Sequence, residues 1–137
     1  MKKFLLLLAT LTLIFSCSPN VEENQKFHLE LLPVHTITLP AEFVRNQEYD
    51  LSIQFIRPST CHIFEGFYYE KNLNVRTIAI QTSVIENSSC LAAAAIPVTQ
   101  ILKFKPTELD SYIFKIWKGK SPTDQDIYEE FVIPVVD

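Results

Sequence analysis

The chain has 137 residues, a formal net charge of −4 at pH 7, two glycines and three cysteines. Binding to nucleic acid is not expected, because phosphate backbones are recognised by basic faces. The two isolated glycines, Gly66 and Gly119, exclude the glycine-rich phosphate loops of P-loop and dinucleotide-binding proteins.

The first seventeen residues have the pattern of an export signal. Lys2 and Lys3 precede an apolar stretch, residues 4–15, which is followed by Ser16 and Cys17. This stretch of about twelve residues is shorter than the roughly 20 that a membrane-spanning helix requires. Residues 1–16 are therefore predicted to be a secretory signal peptide that is removed.

The end of this segment, Leu13-Ile14-Phe15-Ser16-Cys17, resembles the lipobox of bacterial lipoproteins, although Ile14 and Phe15 depart from its usual residues. The resemblance implies that Cys17 is lipidated, carries palmitate-type acyl chains and becomes the anchored N-terminus. Ser18 stands where Asp commonly retains lipoproteins in the inner membrane, which favours the outer membrane of a Gram-negative bacterium. The alternative is an ordinary secretory signal that is cut near Ser16 or Ser18.

The three cysteines are consistent with lipidation at the first of them. Exported proteins meet an oxidising compartment, in which an odd thiol is unexpected. If Cys17 carries lipid, Cys61 and Cys90 remain, and they are predicted to form a disulfide. Cys61 is followed by His62, but adjacent residues of a strand point to opposite faces, so a Cys–His nucleophile is not predicted. His28 and His35 lie too far apart in sequence to suggest a metal site, and no metal or cofactor is predicted.

After the signal peptide the chain is expected to form one domain on a short tether. Removing residues 1–16 takes two of the twelve basic residues and none of the sixteen acidic ones, which leaves a formal charge of about −6. Residues 17–26 are predicted to be the lipidated cysteine and a polar tether. Residues 27–137 are enough for a single domain with a hydrophobic core.

From Phe27 onward, short segments rich in β-branched and aromatic residues alternate with Pro, Asn, Asp and Ser, which predicts an all-β domain. Both parities of the segment 61–69 carry large apolar side chains, so a bulge is predicted at Gly66. About seven strands in this length favour a two-sheet sandwich, with a jelly roll or a small closed barrel as alternatives. The predicted strands are 27–32, 34–39, 49–56, 61–69, 75–85, 98–105, 112–118 and 127–136.

Residues 102–117 resemble the tyrosine corner of immunoglobulin-like and fibronectin type III-like domains. An alternating strand ends at Pro106, a short corner passes Asp110, and Tyr112 begins the next strand. The resemblance implies an immunoglobulin-like antiparallel sandwich, with the ring of Tyr112 inside and its hydroxyl bonded to backbone upstream. Phe114 and Ile116 would then face the core together with Tyr112, while Leu102 and Phe104 would face it from the opposite sheet. Cys61 and Cys90 do not have the placement of the antibody-domain disulfide.

The alternate residues of the same strand are expected on the outer face. The strands 64–69 and 127–136 are expected beside it, which would create an aromatic surface suited to protein or sugar contacts. Cover by a loop or by the N-terminal segment is the alternative. The predicted binding surface comprises Trp117, Lys115, Phe64, Phe67, Tyr68 and Tyr69.

The sequence contains no Gly-x-Ser-x-Gly or His-Glu-x-x-His motif, and no enzyme is predicted. The expected function is that of a lipid-anchored interaction or accessory module of the cell envelope, whose partner is another envelope protein or a glycan. An inhibitor or chaperone-like protein acting through loop 57–60 or loop 118–126 is the first alternative. An enzyme is the second.

Overall fold

The computed structural model describes residues 25–86 and 89–137. The predicted signal peptide, the predicted lipidation site Cys17 and residues 17–24 of the predicted tether lie outside the described residues. In the described part all regular elements are strands, and no helix there could cross a membrane. The all-β prediction is confirmed.

Nine strands form two sheets that do not close into a barrel. The larger sheet contains six strands, β1, β3, β5, β6, β8 and β9, and the smaller sheet has the order β2-β4-β7. The strands are β1 Phe27–Leu32, β2 Thr36–Thr38, β3 Phe43–Val44, β4 Tyr49–Ile56, β5 His62–Asn72, β6 Val75–Ile85, β7 Pro97–Phe104, β8 Ser111–Lys120 and β9 Asp126–Val136.

Strand β6 is the centre of the larger sheet, because it pairs with β5 along one edge and with two strands along the other. β8 runs parallel to residues 75–78, whereas β1 runs antiparallel to residues 80–85. Beyond Ile116, β8 pairs with β9 alone. β1 and the β8–β9 hairpin therefore extend from the same edge of β6 in two separate arms. We call the space between these two arms the fork.

The hydrophobic core lies between the two sheets and follows the two-residue period of the strands. In β4, Leu51, Ile53 and Phe55 are buried, while the residues between them are at least partly accessible. In β8, Tyr112, Phe114 and Ile116 form the facing row, as predicted. Phe43 of β3 fills the middle of one end, with ring centroids 4.8–6.4 Å from four other aromatic rings: Tyr49, Phe104, Tyr112 and Phe114.

The order of strands differs from the predicted one. The sequence was expected to place segment 61–69 beside β8, but β6 lies there, and β5 is at the edge. The residues explain this order, because residues 77–85 of β6 carry no charge whereas β5 carries Glu65, Glu70 and Lys71, and charged side chains protect an edge. Two pairs, β6–β8 and β3–β9, are parallel, so the prediction of an antiparallel sandwich is correct only in part.

Two local predictions are confirmed. The β5–β6 register shifts between Phe64 and Gly66, which is the expected bulge. Cys61 and Cys90 form a disulfide with a Cα–Cα distance of 5.5 Å. This bond joins the start of β5 to the connection between β6 and β7.

Candidate functional site

The outer face of the six-stranded sheet carries an unusual amount of apolar surface. Because alternate residues of β8 are buried, Lys115 and Trp117 face outward, and the register places Tyr128 of β9 opposite Trp117. Tyr68 of β5 lies opposite Ala79 of β6 on the same face. The large apolar side chains exposed on this face are Phe27, Leu29, Leu31, Ile63, Tyr68, Tyr128 and Val132.

A groove of about 530 Å³ lies at the fork. Leu29 and Leu31 of β1 line one side, and Trp117 and Tyr128 of the β8–β9 hairpin line the other. Between them lies Ala79, whose small side chain is 1% exposed. The volume lies within the range of roughly 300–1,000 Å³ found for ligand pockets.

Polar contacts hold the aromatic rings of the groove in place. The indole Nε1 of Trp117 donates to Asp126 Oδ1 at 2.9 Å, and the hydroxyl of Tyr68 donates to Glu70 Oε2 at 3.0 Å. This hydrogen bond to Glu70 raises the pKa of Tyr68 above its ordinary value. Burial, followed by the charge of Asp126, raises the pKa of Tyr128. The rings are thus fixed before any partner arrives.

Three of the six residues predicted for the binding surface lie together on the outer face: Trp117, Lys115 and Tyr68. Lys115 Nζ lies 4.4 Å from the ring centroid of Tyr128, which adds a cation–π contact. Trp117 and Tyr68 line the groove itself.

The other three residues, Phe64, Phe67 and Tyr69, pack against the core, so their predicted outward position is wrong. The bulge explains the two phenylalanines. It leaves Glu65 as the extra residue before Gly66 and thereby turns Phe64 and Phe67 to the same, inner side, where their ring centroids are 5.3 Å apart.

β1 supplies groove residues that the sequence prediction missed. Its alternation places Leu29 and Leu31 outward, with exposed fractions of 60% and 40%, while Glu30 lies on the inner side opposite the buried Thr82. An alternating strand normally turns its apolar residues inward. The signal in the sequence was the alternation of β1 itself, but alternation does not say which side faces the core.

A second cluster occupies the inner side of β1. His62 is 8% exposed, its Nδ1 lies 2.7 Å from Ser59 Oγ, and its Nε2 lies 3.2 Å from Glu30 Oε2. The order Ser-His-Glu resembles a hydrolase triad. However, Ser59 Oγ also accepts the N–H of Cys61, a cysteine of the disulfide, at 3.2 Å. We interpret the cluster as a network that satisfies both ring nitrogens of a buried histidine.

Within residues 25–86 and 89–137, no group of three or more His, Cys, Asp or Glu residues could hold a metal ion. Comparison of the chain with protein-family models, with curated proteins and with solved structures found no match. The groove and the second cluster are therefore interpreted from their own geometry.

Proposed function

We propose that the chain is a lipid-anchored, non-enzymatic binding module of the bacterial cell envelope, and that it binds an extended segment of a partner protein at the fork. The observation that carries the proposal is the reversed polarity of β1. Leu29 and Leu31 face outward beside a groove that is lined by aromatic side chains. Burial of this surface against a partner would remove apolar area from water, which favours binding.

The backbone of β1 supports this mode of binding. The N–H of Glu86 donates to the carbonyl of Lys26 at 2.8 Å. This bond fixes which residues of β1 direct their backbone groups toward β6. Because backbone groups alternate along an antiparallel strand, residues 28, 30 and 32 face β6, and Leu29 and Leu31 turn their N–H and C=O groups toward the fork. An added strand would satisfy these groups.

Three other edge strands of the two sheets are protected against strand addition. β7 begins at Pro97 and carries an outward lysine, Lys103, and β2 is only three residues long. β5 is interrupted by the bulge at Gly66. Residues 27–32 contain no proline, lysine or bulge, and the inward-pointing Glu30 is the one usual device against edge pairing that they carry.

The charges of the groove indicate the chemistry of the partner. The carboxylate of Asp126 lines the groove, and its one lysine, Lys120, is paired with Asp124 at 2.9 Å. The whole chain carries a formal charge of −4. A strand with alternating apolar residues and a basic residue would fit this surface best.

The immunoglobulin-like relationship is part of the proposal. It is supported by Tyr112, which is 1% exposed and whose hydroxyl accepts the backbone N–H of Thr107 at 3.0 Å. This is the contact that the resemblance to a tyrosine corner implies. The position of β6 beside β8 departs from that resemblance in strand order.

One observation favours a second candidate, an inhibitor that acts through loop 57–60. Two backbone hydrogen bonds, Thr60 N to Leu91 O at 2.9 Å and Ala93 N to Pro58 O at 3.1 Å, hold this loop beside the disulfide. A loop that is held in one conformation is a feature of inhibitors that bind in a preorganised form.

Two matched substitutions test the proposed docking strand. Leu29→Lys and Val132→Lys each place a charge on the outer face at a side chain that is 60–65% exposed, but only Leu29 lines the groove. We expect Leu29→Lys to abolish crosslinking and affinity capture of the partner from the native membrane, and Val132→Lys to preserve both. Equal capture by the two variants, with unchanged thermal unfolding, would contradict docking at the fork.

A further inference from the structure

A second cleft, on the inner side of the sandwich, has the opposite charge from the rest of the molecule. It has a volume of about 540 Å³ and lies where the ends of β5 and β6 face the end of β7. Four basic residues line it, Lys71, Arg76, Lys103 and Lys105, of which Lys103 turns its ammonium group outward to Glu48 and Asp50. This is a concentration of positive charge in a chain with four more acidic than basic residues.

Arg76 is the central group of this cleft. It is 8% exposed, its guanidinium carbon lies 4.8 Å from the ring centroid of Tyr112, and its Nη1 donates to the carbonyls of Leu73 and Val75 at 2.8 and 2.9 Å. Its Nε is the buried side-chain nitrogen for which the described residues supply no acceptor. A buried donor without an acceptor is costly, so a small movement of the Arg76 side chain that lets an anion in the cleft accept from Nε would be favoured.

The charges of the cleft are largely uncompensated within the described residues. Lys103 is paired with Glu48 and Asp50, but no ion pair among residues 25–86 and 89–137 involves Lys71, Arg76 or Lys105. Three cations around one cleft favour a multiply charged anion over a single carboxylate. Tyr69, Leu102 and Phe104 add apolar surface to the same lining.

We infer that this cleft binds a phosphate monoester carried by a soluble small molecule, with the phosphate held by Arg76, Lys71 and Lys105. Arginine and lysine are the residues that recognise phosphate in proteins, and arginine adds directional N–H donors. The aromatic and aliphatic part of the lining would contact the organic part of the ligand.

The position of the cleft favours a soluble ligand over a lipid headgroup. Phe27, which follows the tether, pairs with Ile85 at one end of β6, and Arg76 lies near the other end. Nine residues of strand separate Arg76 from Ile85, which corresponds to about 30 Å. With the proposed anchor at Cys17, the cleft therefore opens at the end of the domain that is far from the tether.

Titration of the full-length protein in lipid nanodiscs tests this inference. The probes are inorganic phosphate and glucose 6-phosphate, with glucose and sodium chloride of equal ionic strength as controls. The readout is the ¹⁵N–¹H signal of the Arg76 Nε, which can be assigned because the chain has three arginines, Arg45, Arg57 and Arg76. We expect this signal to shift with both phosphates and with neither control.

Variants locate the binding. We expect Lys71→Ala combined with Lys105→Ala to weaken phosphate binding about tenfold or more, since both side chains are exposed and their removal leaves the core intact. Lys26→Ala removes one exposed lysine at the other end of β6 and should leave the affinity unchanged. An Arg76 signal that is unmoved by either phosphate, or equal affinity in all variants, would overturn the inference. So would binding only to vesicles that contain phosphatidic acid, because that result assigns the cleft to a lipid.

Discussion

At the scale of single residues, Tyr112 links the aromatic core to the corner before β8. Its ring packs at 4.9 Å from that of Phe104, its other neighbours include Arg76, and its hydroxyl accepts the N–H of Thr107 at the corner before β8. The sequence predicted this residue because the corner has a local pattern, with Pro106 and Asp110 before the tyrosine. A contact between residues five apart in the chain leaves such a pattern.

Removing the hydroxyl of Tyr112 should therefore destabilise the fold. In Tyr112→Phe the N–H of Thr107 loses its acceptor, and we expect the free energy of unfolding in urea to fall by about 1–2 kcal/mol. Tyr128→Phe is the control, because the Tyr128 side chain lies on the exposed face. A loss of equal size in both variants would show that the corner contact contributes nothing specific.

Tyr69 gives the molecule a predicted dependence on alkaline pH. Burial raises the pKa of its phenol above the ordinary value of about 10. The folded state therefore holds this proton more tightly than the unfolded state, so the associated stability is present below about pH 10 and is lost as the pH rises through the folded pKa. Urea unfolding at a series of pH values above 9 should show this decline, and Tyr69→Phe should make it shallower. An unchanged slope in Tyr69→Phe would contradict the assignment.

At the scale of elements, the strands were predicted closely and their order was not. The start and end of β1, β4 and β6 agree with the alternation of the sequence, because alternation is a local property of a strand. The choice of β6 as the neighbour of β8 depends on interactions between residues far apart in the chain. The groove could not be predicted for the same reason. The outward position of Leu29 and Leu31 in β1 is recognised only when the location of the core is known.

The disulfide links the start of β5 to the connection between β6 and β7. Cys61 and Cys90 are separated by 29 residues, and closing such a loop stabilises a fold by about 3–4 kcal/mol in the chain-entropy model. We expect the double variant Cys61→Ala, Cys90→Ala to lose stability of this size in urea unfolding. Reduction of the native protein should produce the same loss, and a reduced protein as stable as the oxidised one would contradict it.

At the scale of the whole molecule, the prediction that remains to be tested first is the anchor. If Cys17 carries lipid, Cys17→Ser should move the protein from the membrane fraction to the soluble fraction, because the acyl chains provide the attachment. The thermal unfolding midpoint of the domain should not change, since residue 17 precedes β1 by ten positions. Continued membrane fractionation of the variant would place the attachment elsewhere.

The pairing of β1 with β6 has a mechanical consequence. β1 is the first strand after the predicted tether and one of the strands that border the groove, so it would connect a membrane attachment at Cys17 to a partner at the fork. Tension between the two would pull along β1, parallel to its axis, and would load all six residue pairs with β6 at the same time. Strands loaded in shear resist force better than strands peeled apart pair by pair. A partner held at the fork would thus be retained under tension by six β1–β6 residue pairs that bear the load together.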